Sequence, residues 1–395
     1  MNKQLSSSSW LFKLSLLSLS ILAQTAPSIS IAMPQLMATF PEQSQSSIEL
    51  IATLPNMGVL LLILFAESIA KRFGIKRTIL FGLSLYTIGG VLPAFVSNFY
   101  IILACRFLMG CGIGLFNPFS VSLMYRFYQG DELNDMLGYQ NTSQNLGNAA
   151  FGFLLSALIL FGWRVAFTGF TIGLIPFVLL GAFVMIPDDK PDLQPSKKEK
   201  PSLKDSVNGP ILALALLFMV VFAMFLMLTI KMALFGEETG LFSASSASSI
   251  LAGLGLSSMF AAPLFGKLSR LVGNYLLPIS FTGIAIGFLL VANAQSIIMV
   301  ITGVIIAGIF FGWVFPQAFL RVAQVAPKNG GTLTTSVVLM GINFGAAFSA
   351  VIINSIATTL GFTTTAGILV MCGIGFLILA GLEYLLTFLQ SKKVS

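Results

Sequence analysis

The sequence predicts an all-α membrane protein whose twelve transmembrane helices form two pseudo-symmetric six-helix bundles. Its mean hydropathy is +0.94, and 9% of its residues are charged, against about 25% in a soluble domain. Its apolar stretches reach the length of ~20 residues that a helix needs to cross a bilayer. The predicted spans are 11–37, 48–69, 78–96, 99–122, 139–161, 165–186, 209–234, 243–265, 275–293, 296–320, 331–356 and 363–389.

The first span, 11–37, has an alternative interpretation as a signal peptide, because small residues surround Ala23 and Ala26. Apolar residues continue beyond that point to Leu36, which favours one long spanning helix that contains Pro27 and Pro34. We expect intramembrane prolines to bend their helices around a central space.

A polar stretch interrupts the apolar pattern at the middle of the chain. Residues 187–208 contain four prolines, five basic residues and five acidic residues. Such a stretch cannot cross a bilayer or form a core of its own. It predicts a linker at 187–208 between an N-terminal bundle at 1–186 and a C-terminal bundle at 209–395.

The basic residues predict the orientation of the chain. Only Arg106, Arg164 and Lys231 of the 21 lysines and arginines fall outside the termini and the loops on one side. Since cytoplasmic loops are enriched in Lys and Arg, both termini and the linker are predicted to be cytoplasmic. The net charge of +7 is explained by this bias, and we expect no nucleic-acid partner.

Several chemistries are excluded or disfavoured by residue type. The chain has no histidine, which rules out an imidazole relay or ligand. Cys105, Cys111 and Cys372 lie within apolar runs and are interpreted as small buried side chains. No nucleophile–base pair or set of metal ligands is recognisable, so we expect neither an enzyme nor a metal or cofactor site.

An internal repeat relates the two halves. Pro118 matches Pro316 and Gly147 matches Gly345, both at an offset of 198, while Gly74 and Gly273 lie 199 apart. Six spans per copy give two copies of the same orientation, the parallel repeat of one large transporter class. Small residues four apart predict close packing of helices, at Gly110/Gly114, Gly308/Gly312 and Gly341/Gly345.

Ordered motifs resemble a known family along the whole chain. They are Met33–Leu36 with Phe40 and Pro41, the basic loop Arg72–Arg77, Arg106–Gly110, and Gly162–Arg164 with Phe167. In these motifs the chain resembles the major facilitator superfamily, and within it the bacterial twelve-helix drug-efflux permeases. The resemblance implies a monomer in the bacterial inner (cytoplasmic) membrane. It also implies transport by alternating access, with a midplane site between the halves.

Arg106 is the intramembrane charge of the fourth span, at a depth of roughly 10 Å from the outer side. A guanidinium there is costly unless it faces a polar interior. It either faces the cavity, where it binds an anionic substrate group or tunes a nearby acid, or is structural and bonds backbone carbonyls of the first helix.

Polar residues within the spans define the candidate cavity. In the fifth span, Gln140, Gln144 and Asn148 recur on one helical face, at the position of the family's antiporter motif, which is only half present. The alternative is hydrogen bonding between helices. The predicted cavity residues are Arg106, Gln24, Asn117, Gln144, Asn145 and Asn343.

The basic loop departs from the family pattern G-x-x-x-D-R-x-G-R-R. Glu67 replaces the glycine and Lys71 replaces the aspartate, and these two side chains can pair along one face. The predicted gating residues are Glu67, Lys71, Arg72, Gly74 and Arg270, with simple fixation of orientation as the alternative role of the loop.

Acidic residues within the spans are few. Glu49, at the outer edge of the second span, and Arg106 are the proton-coupling candidates. Glu383 is expected to reach the membrane interface, where Lys392 or Lys393 offsets its charge. The acid that relatives carry deep in the first span is absent, and Gln24 occupies that depth.

These features together predict a secondary transporter that exports a small, moderately lipophilic organic compound in exchange for protons. Uptake of a nutrient or metabolite by symport or uniport is the main alternative, and the half-present motif and the missing deep acid favour it. A membrane sensor that does not transport is a remote alternative.

Overall fold

The computed structural model describes residues 9–63, 65–184, 208–325 and 331–394, and nearly all of these residues are helical. The chain divides into two compact units, Met1–Glu199 and Lys200–Ser395. All but the last residue of the predicted linker 187–208 lie outside the described residues, and the cytoplasmic linker stays a prediction.

The described residues of the first unit form nine α-helices. They are α1 (Trp10–Leu22), α2 (Met33–Thr39), α3 (Gln45–Ile63), α4 (Ala66–Phe73), α5 (Ile75–Val91), α6 (Phe99–Phe127), α7 (Gly130–Leu158), α8 (Trp163–Thr168) and α9 (Leu174–Phe183). Short 3-10 turns join several of them, among them Ala26–Ala32 and Gly169–Gly173.

The first span is not the single helix that the sequence predicts. It consists of α1 and the run Ala26–Thr39, which meet at an angle of 51°. Pro27 opens the 3-10 turn after the break. Because proline has no amide hydrogen, the α-helical bond to the carbonyl of Ala23 cannot form there, which explains why the helix breaks at this point.

The second unit contains eight α-helices within the described part of the chain. They are α10 (Gly209–Thr239), α11 (Ala244–Ala261), α12 (Phe265–Val272), α13 (Leu276–Ala292), α14 (Ile297–Phe311), α15 (Val314–Val325), α16 (Gly331–Thr359) and α17 (Thr365–Val394).

The number of spans agrees with the prediction. Among the described residues, ten helical runs are long and apolar enough to cross a membrane, and the broken first span makes eleven. One run, Ala244–Ala292, has 49 residues. At about 1.5 Å per residue it is long enough for two crossings of a ~30 Å core. It is interrupted at Gly273, whose φ of 58° is positive. Counted as two spans, it brings the total to twelve.

The two units pack their helices in the same pattern. In the first unit α1 contacts α7, α3 and α5 both contact α6, and α5 contacts α9. In the second unit α10 contacts α16, α11 and α13 both contact α14, and α13 contacts α17. Each pair in the second unit is the repeat counterpart of a pair in the first, so the pseudo-symmetry predicted from the sequence is present in the packing.

Two glycines related by the repeat, Gly147 and Gly345, make equivalent close contacts with a neighbouring helix. A Cβ added at Gly147 would lie 2.7 Å from Cα of Ile21, and one added at Gly345 would meet the backbone of Met219. Both members of the second contact stand 198 residues after those of the first. The predicted close packing is therefore confirmed at Gly345 on α16, and Gly147 on α7 makes the equivalent contact; a larger side chain at either position would separate the helices.

The three cysteines are free and buried, as expected.

Candidate functional site

Arg106 lies at the centre of the polar contacts in the first unit. Its side chain is 0% exposed. Nη2 donates to the carbonyl oxygen of Ala26 at 2.5 Å, and Nε donates to that of Ile51 at 2.7 Å. Nη1 lies 2.8 Å from the sulfur of Met109. The planar fork of the guanidinium allows one side chain to hold two helices at once, here the broken first span and α3.

Aromatic rings cover the same guanidinium. Its central carbon lies 5.0 Å from the ring centroid of Phe170 and 5.9 Å from that of Phe167. Cation–π attraction is strongest where water is excluded. The turn that follows α8 therefore contributes to the stabilisation of the buried charge.

A second contact fixes the break in the first span. The Oη atom of Tyr86 and the Oγ1 atom of Thr25 lie 2.7 Å apart, and both side chains are 0% exposed. Thr25 Oγ1 also donates to the carbonyl oxygen of Leu22. Two neighbouring residues at the break, Thr25 and Ala26, are thus held from α5 and α6. Tyr86 was not predicted as a site residue, although a tyrosine inside an apolar span is a recognisable signal.

This geometry matches the structural alternative for Arg106, because the donors reach backbone carbonyls and one of these belongs to the first span. A role in substrate or proton binding stays a prediction. The break that these contacts hold lies beside Gln24, one of the predicted cavity residues.

The other predicted cavity residues occupy varied environments. Gln24 is exposed, whereas Asn117, Gln144 and Asn343 are half-buried. Among the described side chains of the first unit, no hydrogen bond joins Gln24, Asn117 and Gln144. Asn343 belongs to the second unit, where its Nδ2 donates to the carbonyl oxygen of Leu339. The side chain of Asn145 lies outside the described part of the chain.

Glu49 is buried although the sequence places it near the end of a span. It is 0% exposed, and its Oε1 accepts from Nε2 of Gln45 at 3.0 Å. It lies one turn after Gln45, the first residue of α3. Two residues later comes Ile51, the carbonyl partner of Arg106. One helix thus carries both the buried acid and an anchor of the buried cation.

The predicted gating residues lie on the surface of two equivalent short helices. Glu67, Lys71 and Arg72 are exposed on α4. Within the described chain Glu67 and Lys71 form no ion pair. Arg270 is exposed on α12 and donates from Nε to the carbonyl oxygen of Gly266 at 3.1 Å. Gly74 ends α4 with a φ of 91°, a conformation that favours glycine.

The environment of Glu383 was not predicted from the sequence. Its side chain is buried, with 5% exposed, and its Oε2 lies 2.7 Å from Nη1 of Arg321. The pattern did not reveal this pair because Arg321 was assigned to a loop, whereas the structure extends α15 to Val325.

The chain is similar in sequence to known membrane proteins. The family model described as Major Facilitator Superfamily matches residues 14–276. The chain is 30% identical over 256 residues to the multi-drug resistance efflux pump PmrA of Streptococcus pneumoniae, and 31% identical over 111 residues to the methylenomycin A resistance protein of Streptomyces coelicolor. These alignments cover 62% of this chain and 62% of PmrA, and 27% of this chain and 23% of the resistance protein. The chain thus spans less than two thirds of the length of the curated relatives that it matches.

Solved structures show the same fold. The nucleoside transporter NupG superposes with a TM-score of 0.75 at 14% identity, over 95% of this chain and 99% of that one. A POT family transporter in complex with 5-aminolevulinic acid gives a TM-score of 0.73 at 15% identity, over 98% of this chain and 96% of that one. With its two repeated helical units and the extent of the family match, the chain belongs to the Major Facilitator Superfamily of membrane transporters.

Proposed function

We propose that the chain is a secondary active transporter that exports a small, moderately lipophilic organic compound in exchange for protons. The likeness to PmrA, described as a multi-drug resistance efflux pump, supports export. We also propose that the chain is a monomer in the bacterial cytoplasmic membrane. Both of its termini are proposed to be cytoplasmic, because the Lys and Arg bias of the loops favours that orientation.

One observation carries the proposed substrate class. The repeat counterparts of Gln24 and Asn117, 198 residues later, are Phe222 and Phe315, and their ring centroids lie 5.0 Å apart. Because Phe222 and Phe315 contact each other in the second unit, we propose that Gln24 and Asn117 lie near each other in the first. The second unit therefore carries aromatic rings at the positions where the first unit carries amides.

Further rings extend this aromatic surface. Phe311 stacks on Phe225 with centroids 3.5 Å apart, and Phe222 lies 5.3 Å from Phe311. Phe222, Phe311 and Phe315 are half-buried. Aromatic and apolar linings with a few polar groups are typical of sites for small organic ligands, which supports a lipophilic compound with hydrogen-bonding groups over an inorganic ion.

Transport of ethidium, chosen as a lipophilic aromatic probe, tests the proposal. Cells that express the chain should accumulate less ethidium than cells with an empty vector, and a protonophore should abolish the difference. Phe222→Ala should weaken efflux, whereas Phe344→Ala, which alters an exposed ring of α16, should not. Equal accumulation with and without the chain, for ethidium and for a panel of unrelated drugs, would count against export.

Uptake by symport or uniport is the second candidate. The half-present antiporter motif and the absence of an acid deep in the first span favour it. A thermal-shift screen of the purified protein against metabolites and drugs, repeated at two pH values, separates the candidates by the class of compound that stabilises the protein.

Glu49 is the proposed proton carrier of the first unit. Glu49→Gln keeps the size of the side chain but cannot bind and release a proton, so we expect the loss of pH-driven ethidium movement in proteoliposomes. Exchange of ethidium without a pH gradient should continue. The matched control is Glu42→Gln, which alters an exposed acid just outside the same helix. Unchanged pH-driven movement in Glu49→Gln would remove Glu49 from the mechanism.

A further inference from the structure

A row of polar side chains runs along α15 in the second unit. Trp313, just before the helix, and Gln317 and Arg321 within it are four residues apart, so they share one helical face. Trp313 Nε1 donates to the carbonyl oxygen of Ala261 at 2.8 Å. Both Trp313 and Gln317 are buried. An apolar span therefore contains a continuous polar face that ends in a cation.

The cation at the end of this face meets the buried carboxylate of α17. Arg321 Nη1 and Glu383 Oε2 lie 2.7 Å apart, and the two side chains are 19% and 6% exposed. The contact is close enough for an ion pair, but it does not have hydrogen-bond geometry: Oε2 of Glu383 is buried and has no hydrogen-bond partner among the described residues. An ionised pair inside a membrane span is costly unless its hydrogen bonds are satisfied.

Gln317 carries a buried hydrogen-bond donor without an acceptor among the described residues. Its side chain is 4% exposed, and within the described chain its Nε2 has no hydrogen-bond partner. A buried amide donor thus lies one helical turn before Arg321, whose carboxylate partner lacks a hydrogen bond. Buried polar atoms without partners are rare in proteins, and each one calls for an explanation.

We propose that Gln317, Arg321 and Glu383 form a proton-binding site in the second unit, in which Glu383 exchanges a proton with water during transport. This inference rests on the proposed proton-coupled function and adds a second acid to Glu49. In the step itself, the carboxylate of Glu383 accepts a proton from a hydronium ion of the solvent, which leaves a water molecule, and becomes a neutral acid. The ion pair with Arg321 is then lost, and the carbonyl oxygen of the acid accepts from Gln317 Nε2.

Few other ionisable groups face this site. Helix α17 packs against α10, α13, α16 and the turn Gly273–Tyr275, and α13 and α16 carry no ionisable residue. On α10, Glu238 binds Thr365, which is roughly 27 Å along α17 from Glu383 at 1.5 Å per residue. Lys231 lies two turns before Glu238 on α10 and neighbours Cys372. At the turn, Tyr275 lies 6.2 Å from Tyr384, ring to ring. Arg321 is therefore the charged group that faces Glu383 among the described residues.

Infrared difference spectroscopy of the purified full chain tests this site without a substrate. Between about pH 8 and about pH 6, the range over which ordinary exposed carboxyls stay ionised, the wild type should gain the stretching band of a protonated carboxyl. Glu383→Gln should lose the contribution of one carboxyl to that band. Glu132→Gln is the matched control, since Glu132 forms an ion pair of the same 2.7 Å length with Lys13 but is half exposed. It should retain the band.

A second variant keeps the proposal testable if Glu383→Gln does not fold. Arg321→Gln leaves the acid in place without its cation, so the pH at which the band appears should change. A full band in Glu383→Gln, or an unmoved band in Arg321→Gln, would overturn the site. If either of these results is found while the wild type exports ethidium, only the proton site is overturned. If the variants change the band as expected but the wild type exports no ethidium, the result counts against the proposed function.

Discussion

Replacing Arg106 by alanine is expected to abolish transport and to lower the unfolding temperature of the protein. The change leaves the buried carbonyls of Ala26 and Ile51 without their donor, at a cost of about 1–3 kcal/mol for each unsatisfied group. It also releases the break in the first span from α6. Arg106→Lys should fail as well, because an ammonium lacks the planar fork that reaches both carbonyls.

Two measurements on the same preparations, ethidium transport in proteoliposomes and thermal unfolding in detergent, decide between the two roles left open for Arg106. A structural role predicts that transport and thermal stability fall together. A role in binding predicts that transport falls while the unfolding temperature is unchanged. Arg164→Ala is the control, since that guanidinium is partly exposed and bonds Ser97 Oγ at 3.1 Å; it should alter neither quantity. Transport at the wild-type rate in Arg106→Ala would exclude both roles.

Replacing Gly110 by alanine is expected to have the second largest effect. The added Cβ would contact the carbonyl oxygen of Pro55 and lie 2.6 Å from its Cα. Both atoms are backbone of α3 and cannot rotate away, so α3 and α6 must separate. Overpacking of this kind costs about 1–3 kcal/mol. We also expect transport to fall, because α3 carries both Glu49 and the Ile51 anchor.

Gly253→Ala is the matched control for this prediction. Gly253 lies within α11, and a Cβ there would have no heavy atom within 4 Å. Alanine favours a helix over glycine by about 1 kcal/mol, so this variant should be as stable as the wild type or more stable. Thermal unfolding of the three proteins provides the comparison, and equal unfolding temperatures for Gly110→Ala and wild type would contradict the close packing.

The spans and the repeat could be predicted from the sequence because both depend on a regular pattern of residues. Apolar length located the spans, and the offset between Gly147 and Gly345 indicated the repeat, which is visible in sequence because close packing of helices requires a small residue at a fixed position. A bend at Pro27 was predicted, but the break after Leu22 was not, since a proline can either bend a helix or interrupt it. The structure shows that it interrupts the helix.

The site was harder to predict than the fold because side-chain partners come from distant helices. An arginine in an apolar span is consistent with a wet cavity or with buried carbonyls, and nothing local distinguishes these environments. Glu383 was assigned to the interface by its position near the end of a span, but its partner lies 62 residues earlier in the chain. Such a pairing depends on which helices are neighbours, which hydropathy does not encode.

The 51° break in the first span makes its geometry depend on a charge. If the span straightened into one α-helix, the carbonyl of Ala26 would turn toward the amide of Ser30 and away from α6. Arg106 would then lose its shortest hydrogen bond in a place where no water can replace it. The angle of the span and the hydrogen bonding of the guanidinium are therefore coupled, because a straighter span would leave Arg106 in need of another acceptor.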